Sequence, residues 1–223
     1  MISPATLEDF EAIELQAEET SIFLRRFGSG PAVLLLHGFP QTHLMWRYVA
    51  PLLARSFTVI CADLRGYGRS GCPASSPDHA PYAKRAMAKD MVSVMGKLGY
   101  PRFSVAGHDR GGRVAYRLAL DHPERVERLA VLDILPTADT WERADKKLTT
   151  AFWPWSLLAQ PEPLPERLVS ALRMLLSITR LAVGALLQML SARMWGRRMS
   201  KRCAIPLAST NLRGVSSEGD SRP

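Results

Sequence analysis

Cysteine is scarce in this chain: Cys61, Cys72 and Cys203 are the three among 223 residues. An odd number without the close pairing of a metal site excludes a disulfide framework or a thiolate cluster and fits a reducing compartment. Long apolar runs are lacking too. The longest arginine-free part of the Leu- and Met-rich region, residues 181–192, falls short of the about twenty apolar residues a membrane span needs. A basic start followed by an apolar run is also missing: Glu8, Asp9, Glu11, Glu14, Glu18 and Glu19 stand where a secretory signal would place it. These absences predict a cytoplasmic chain with no membrane association. With 47% hydrophobic and 22% charged residues, the composition excludes disorder and collagen and fits one globular domain with an appendage.

The net charge of +8 invites a nucleic-acid reading, so its placement matters. From Arg167 onward there are ten basic residues and two acids, whereas the preceding part is balanced at nineteen of each. All of the excess therefore lies in the C-terminal part, and no nucleic-acid partner is inferred. Two compositional regimes meet near Leu168.

The first regime alternates strand-like and helix-like segments. Residues 11–17 and 21–27 alternate around Glu18-Glu19-Thr20 and predict an antiparallel hairpin. Residues 32–36, 57–61, 103–106 and 126–133 are short apolar runs of the kind covered on both faces of a sheet. Helical stretches are expected over residues 43–54, 81–98 and 111–121. This rhythm defines an α/β class: a mostly parallel sheet with helices on both faces. The expected organisation is a core over residues 1–138, the start of a Trp- and Pro-rich lid over 139–167, a Leu/Met-rich helical segment over 168–195 and a basic disordered tail over 196–223.

The sharpest chemical signal is Gly107-His108-Asp109-Arg110-Gly111-Gly112-Arg113. It follows an apolar strand and opens a helix, the setting of a nucleophile elbow, in which the backbone turns hard enough to present one side chain. Here that side chain is Asp109. A serine would need a base to remove its proton, whereas a carboxylate, with a reference pKa of about 4, is ionised at neutral pH. An aspartate in this place suits attack on a saturated carbon carrying a leaving group, as in dehalogenation or epoxide opening. Arg110 and Arg113, three apart at a helix start, can converge on a small carboxylate. His37-Gly38-Phe39-Pro40 leaves the first central strand, where the amides of Phe39 and Arg110 could bind an oxyanion. Asp63-Leu64-Arg65-Gly66-Tyr67-Gly68-Arg69-Ser70 is a Gly-rich turn opened by an acid that reads as buried.

These three blocks, in this order and spacing, resemble the α/β-hydrolase superfamily. The Asp-Arg elbow, the second arginine and Trp153-Pro154-Trp155 followed by Gln160-Pro161 resemble the haloacetate (fluoroacetate) dehalogenases within it. The resemblance runs from about Glu11 to Arg167. It implies a cofactor-free hydrolase acting on a short 2-halo acid, a small carboxylate substrate, through an aspartyl ester. Asp109 would be the nucleophile, Asp133 the acid that orients a histidine, Arg110, Arg113 and Phe39 the substrate-binding groups, and Trp155 the halide ligand. No metal is called for, and the oligomeric state is left open, a homodimer included.

The sequence departs from the family at two places. Its histidines are His37, His43, His79, His108 and His122, and the family's water-activating histidine lies later. Pro154 stands where the family usually has a histidine beside the halide-binding tryptophan. Together with the change of composition near residue 168, the missing histidine suggests a truncated or frame-shifted C-terminal part lacking the last strands. Such a chain is expected to form the ester once and stall, with His37 and His108 in structural roles. The alternatives are an epoxide hydrolase, which would need lid tyrosines that do not occur after Tyr116, and a non-catalytic fragment whose tail binds a membrane or a partner.

Overall fold

The computed structural model describes residues 6–178. Its sheet is built from β1 (Glu11–Gln16), β2 (Ser21–Phe27), β3 (Ala32–Leu36), β4 (Thr58–Ala62), β5 (Phe103–His108) and β6 (Val126–Leu132), in the order β1-β2-β4-β3-β5-β6. The hairpin pairs β1 with β2 antiparallel, Glu11 opposite Arg26, and β2 runs antiparallel to β4. The pairings of β3 with β4, β3 with β5 and β5 with β6 are parallel. The chain thus winds outward from β3 in one direction and returns to its other side as β5. The carboxyl ends of β3 and β5 form the switch point at which open α/β sheets bind their ligands.

The runs read as doubly covered strands are so at the centre: every residue of β4 is buried, as are all of β3 except the half-buried Val33. Alternate side chains point to opposite faces. Leu35, Val59 and Cys61 pack with Trp46, Ala50 and Ala54 on one of them, over Leu7 and Phe10. Burial of this size stabilises by about 1.5–3 kcal/mol per large aliphatic side chain, and it pushes the Cys61 thiol up. Strand β6 differs from its expected character. Among the described residues it pairs with β5 alone, and Leu129, Val131 and Leu132 are exposed, because an edge strand gains no cover from a second neighbour.

The helix expected over residues 43–54 is instead a 3-10 turn, His43–Trp46, followed by the short α1 (Ala50–Leu53). Pro51 sits in the first turn of α1, where its missing N–H is harmless but where a helix arriving from residue 43 would be broken. Helix α2 (Lys84–Lys97) buries Met87, Met91, Val94 and Met95, and α3 (Arg110–Asp121) buries Val114, Ala115 and Leu118 against the sheet.

Two compact units emerge. One comprises the described residues up to Pro73 together with Lys84–Ile134, and it holds the whole sheet. The other combines Ala74–Ala83, a loop from the middle of the chain, with the described residues from Leu135. This second unit contains α4 (Thr137–Glu142), α5 (Lys146–Ala151), α6 (Trp153–Leu158) and α7 (Leu164–Ile178). Two prolines of the Trp- and Pro-rich segment lie at helix starts: Pro154 in the first turn of α6, Pro165 as the second residue of α7. The expected tail over residues 196–223, and the part of the expected helical segment after Ile178, lie outside the described residues. Among the described residues no helix is long and apolar enough to cross a membrane.

Candidate active site

The turn after β5 is a sharp one. Asp109 has φ 47° and ψ −116°, in the region that L side chains rarely adopt, at a strain of about 1–3 kcal/mol. Two flanking glycines make the turn possible. A β-carbon on Gly107 would lie 2.2 Å from the Gly111 carbonyl oxygen, and one on Gly111 would lie 2.5 Å from the carbonyl oxygens of both Leu36 and His37. The start of α3 is therefore pressed against the ends of β3 and β5, and the Asp109 side chain stands at the switch point, one quarter exposed.

Its two carboxylate oxygens are held differently. The Phe39 backbone N–H donates to Asp109 Oδ2 at 2.8 Å, while Arg113 Nη1 lies 3.4 Å from Oδ1. Arg113 itself is buried, and that burial, ahead of the opposing pull of Asp109, lowers its pKa. Arg110 is positioned by rings: its guanidinium carbon lies 5.5 Å from the centre of Phe39 and 5.6 Å from that of Tyr67, within cation–π range. Burial pushes the pKa of the Tyr67 hydroxyl up, against the pull of the Arg110 charge. The structure thus brings Asp109, Arg110, Arg113 and the Phe39 amide together.

The loops around this group are fixed by buried polar chemistry. His37 is fully buried; its Nε2 accepts from Leu64 N–H at 3.0 Å, which leaves Nδ1–H to donate to the Gly38 carbonyl oxygen at 2.9 Å. Burial lowers its pKa and keeps it neutral. Asp63 accepts from His43 N–H at 2.7 Å, His43 Nδ1 at 2.8 Å and Arg69 N–H at 2.9 Å. Although burial pushes the other way, these donors hold its carboxyl below the usual range. Behind the loop, Arg65 makes a two-pronged pair with Asp90 of α2, at 2.6 and 2.7 Å. Tyr67, carried between Asp63 and Ser70, is the member of the site that the sequence did not reveal. The aromatic in the Gly-rich turn was its signal.

Asp133 follows β6, with φ 55° and a side chain that is 89% exposed; its Oδ2 lies 3.6 Å from His108 Nε2. Trp155 lies in α6 of the second unit, where its ring centre is 6.3 Å from that of Trp141 and 6.4 Å from that of Phe152. Among the described residues, no group of three or more His, Cys, Asp or Glu side chains could hold a metal ion.

A parallel sheet with a strained, glycine-flanked acid at its switch point is the architecture of the α/β-hydrolase fold. Residues 31–172 match the family described as alpha/beta hydrolase fold, and the chain belongs to it. Among its relatives is the fluoroacetate dehalogenase of Burkholderia sp, 52% identical over 164 residues, which cover 74% of this chain and 54% of that protein. The soluble epoxide hydrolase of Corynebacterium sp. (strain C12) is 48% identical over 109 residues, covering 49% of this chain and 36% of the relative. A solved structure of a candidate α/β hydrolase from Nostoc sp PCC 7120 is similar with a TM-score of 0.72 at 54% identity, over 74% of this chain and 57% of that one. A candidate epoxide hydrolase from Pseudomonas aeruginosa has a TM-score of 0.69 at 46% identity, over 75% and 55%. The chain spans about half the length of the dehalogenase relative.

Proposed function

We propose that the chain carries the carbon–halogen-cleaving half-site of a haloacetate dehalogenase, with a short 2-halo acid as substrate. The carrying observation is the unequal treatment of the Asp109 carboxylate: Oδ2 is tied to the Phe39 amide, and Oδ1 faces Arg113. Oδ1 is then the attacking atom. Arg110 and Arg113 hold the substrate carboxylate by charge-assisted bonds and present its α-carbon in line with Oδ1. The new C–O bond forms as the carbon–halogen bond breaks, and the halide leaves with the electron pair. Oδ2 becomes the carbonyl oxygen of the ester, already in the place where the Phe39 N–H, together with that of Arg110, can stabilise negative charge in the next step.

Support comes from the charge of the site and from the relative named a fluoroacetate dehalogenase. Relatives named epoxide hydrolases share the fold, yet two cationic side chains beside the nucleophile favour an anionic substrate over a neutral epoxide. Trp155, the halide ligand by resemblance, belongs to the second unit, and the steps above use the sheet-bearing unit alone. Incubation of the full chain with chloroacetate should release halide and leave a carboxymethyl ester, mapped by peptide mass spectrometry to Asp109. D109N should do neither. Halide release at the wild-type rate from D109N would refute the assignment.

A further inference from the structure

Strand β6 ends the sheet among the described residues without the devices that guard the other edge. That edge, β1, exposes Glu11 and Glu14, charges of the kind that keep an edge strand from pairing with another chain. From Leu129 to Leu132, β6 reads Leu-Ala-Val-Leu, without charge or proline, and every one of these residues is exposed. Its backbone is open in the same place. The Leu132 carbonyl oxygen accepts from Asp109 N–H, so Leu132 and Ala130, two residues back, turn their hydrogen-bonding groups toward β5, while Leu129 and Val131 turn theirs outward. A bulge between residues 126 and 129 and the positive φ of Asp133 bound this stretch on its two sides. Outward amides and carbonyls among exposed apolar side chains invite a further strand.

We propose that β6 pairs with β6 of a second copy of this chain, antiparallel, about a two-fold axis at Ala130. The proposal does not depend on the reading of Asp109. A two-fold axis normal to the sheet makes the contact self-complementary and keeps each side chain on its own face. With the axis at Ala130, Leu129 of either copy lies opposite Val131 of the other, and each such pair, both members facing outward, exchanges both of its N–H···O bonds. The two Ala130 residues then form the non-hydrogen-bonded pair, whose Cα atoms approach to about 4.5 Å, and the smallest side chain of the stretch stands there. Neighbouring positions for the axis fit less well. At Leu129 they would set Val131 against the bulge, and at Val131 they would set Leu129 against Asp133, outside the regular strand. The paired stretch has no charge with which to select a different partner; what it offers is complementary to itself. The two sheets become one.

The test measures the mass of the full chain in solution, by light scattering over a dilution series. Wild type should pass from the mass of one chain to that of two as concentration rises. V131K, altered at a side chain that is 47% exposed and checked for wild-type circular dichroism, should keep the mass of one chain throughout, since an edge lysine opposes pairing. Under mild oxidation A130C should form a dimeric disulfide, because about 4.5 Å between Cα atoms is a separation a disulfide spans. Wild type, with Cys61, Cys72 and Cys203, sets the background, and L129C, which faces Val131 rather than itself, should cross-link far less than A130C. Hydrogen exchange of the Leu129 and Val131 amides should slow as the copies pair, while those of Ala130 and Leu132 stay slow at every concentration. A wild-type mass of one chain at all concentrations would overturn the proposal; with the Leu129 and Val131 amides protected, it would assign the edge to residues of the same chain. A mass that grows past two chains, a dimer that V131K leaves intact, or L129C cross-linking ahead of A130C would overturn it as well.

Discussion

Replacing Asp90 by alanine should unsettle the chain more than its distance from Asp109 suggests. Arg65 and Asp90 side chains are each 2% exposed, and the pair closes through Nε to Oδ2 at 2.6 Å and Nη2 to Oδ1 at 2.7 Å. Burial pushes the Asp90 carboxyl up against the pull of Arg65, a sign that the pair little more than offsets its own desolvation. Removing one partner is another matter, since it takes the two-pronged acceptor away from a buried guanidinium, at about 3–5 kcal/mol. Glu19 also reaches Arg65 Nη1 at 3.0 Å but is 61% exposed, so it recovers at most about 1 kcal/mol. The loss should therefore sit near about 3 kcal/mol. Urea unfolding followed by tryptophan fluorescence would show it as a midpoint lowered by about 1–3 M, for slopes of about 1–3 kcal/mol per molar. E19Q should stay within about 1 kcal/mol of wild type, and R65M/D90L should recover most of the D90A loss, because two apolar groups leave no stranded charge. A D90A loss below about 1 kcal/mol, or a double variant no better than D90A, would refute the account.

Two further outcomes concern the site. The Tyr67 ring lies within cation–π range of Arg110, at 5.6 Å, so Y67L should raise the KM for chloroacetate about twofold to fivefold while kcat changes little, as expected when a contact of about 0.5–1 kcal/mol is lost equally from ground and transition states; a fall in kcat alone would contradict it. His37 is held neutral by burial, with a folded-state pKa below its ordinary 6.5. Its contribution to stability is complete above that ordinary value. As pH falls below it, the unfolded chain takes up a proton that the native one refuses, and stability should drop by up to about 1.4 kcal/mol per pH unit until the lowered pKa is passed. Unfolding midpoints of wild type and H37Q across that window should diverge accordingly; parallel curves would remove His37 from the account.

Much of the fold was legible because local pattern and final environment agree. Residues 32–36 are apolar throughout, and β3 occupies the same residues at the sheet centre. Strand β6 reads the same way in sequence yet is exposed, since pattern reports what a strand could bury and neighbours decide what it does bury. The Trp- and Pro-rich composition of residues 139–167 does not place the helices there, since whether a proline ends one helix or begins another depends on the first turn it occupies. At the site, the elbow, the Phe39 amide and the buried Asp63 follow from short motifs. The junction of His108 with Asp133 does not, because parallel register joins residues from separate strands. Tyr67 escaped for a related reason: its partner Arg110 arrives from another loop.

The bend at Asp109 carries one more implication. Its unusual backbone angles are imposed by contacts among β3, β5 and α3 that exist whether or not a small molecule is present. Chemistry and architecture are thus welded at this junction: the carboxylate proposed as nucleophile is aimed by the folding reaction itself. Selection on that proposed role would for that reason also police the packing of Leu36, Gly107 and Gly111.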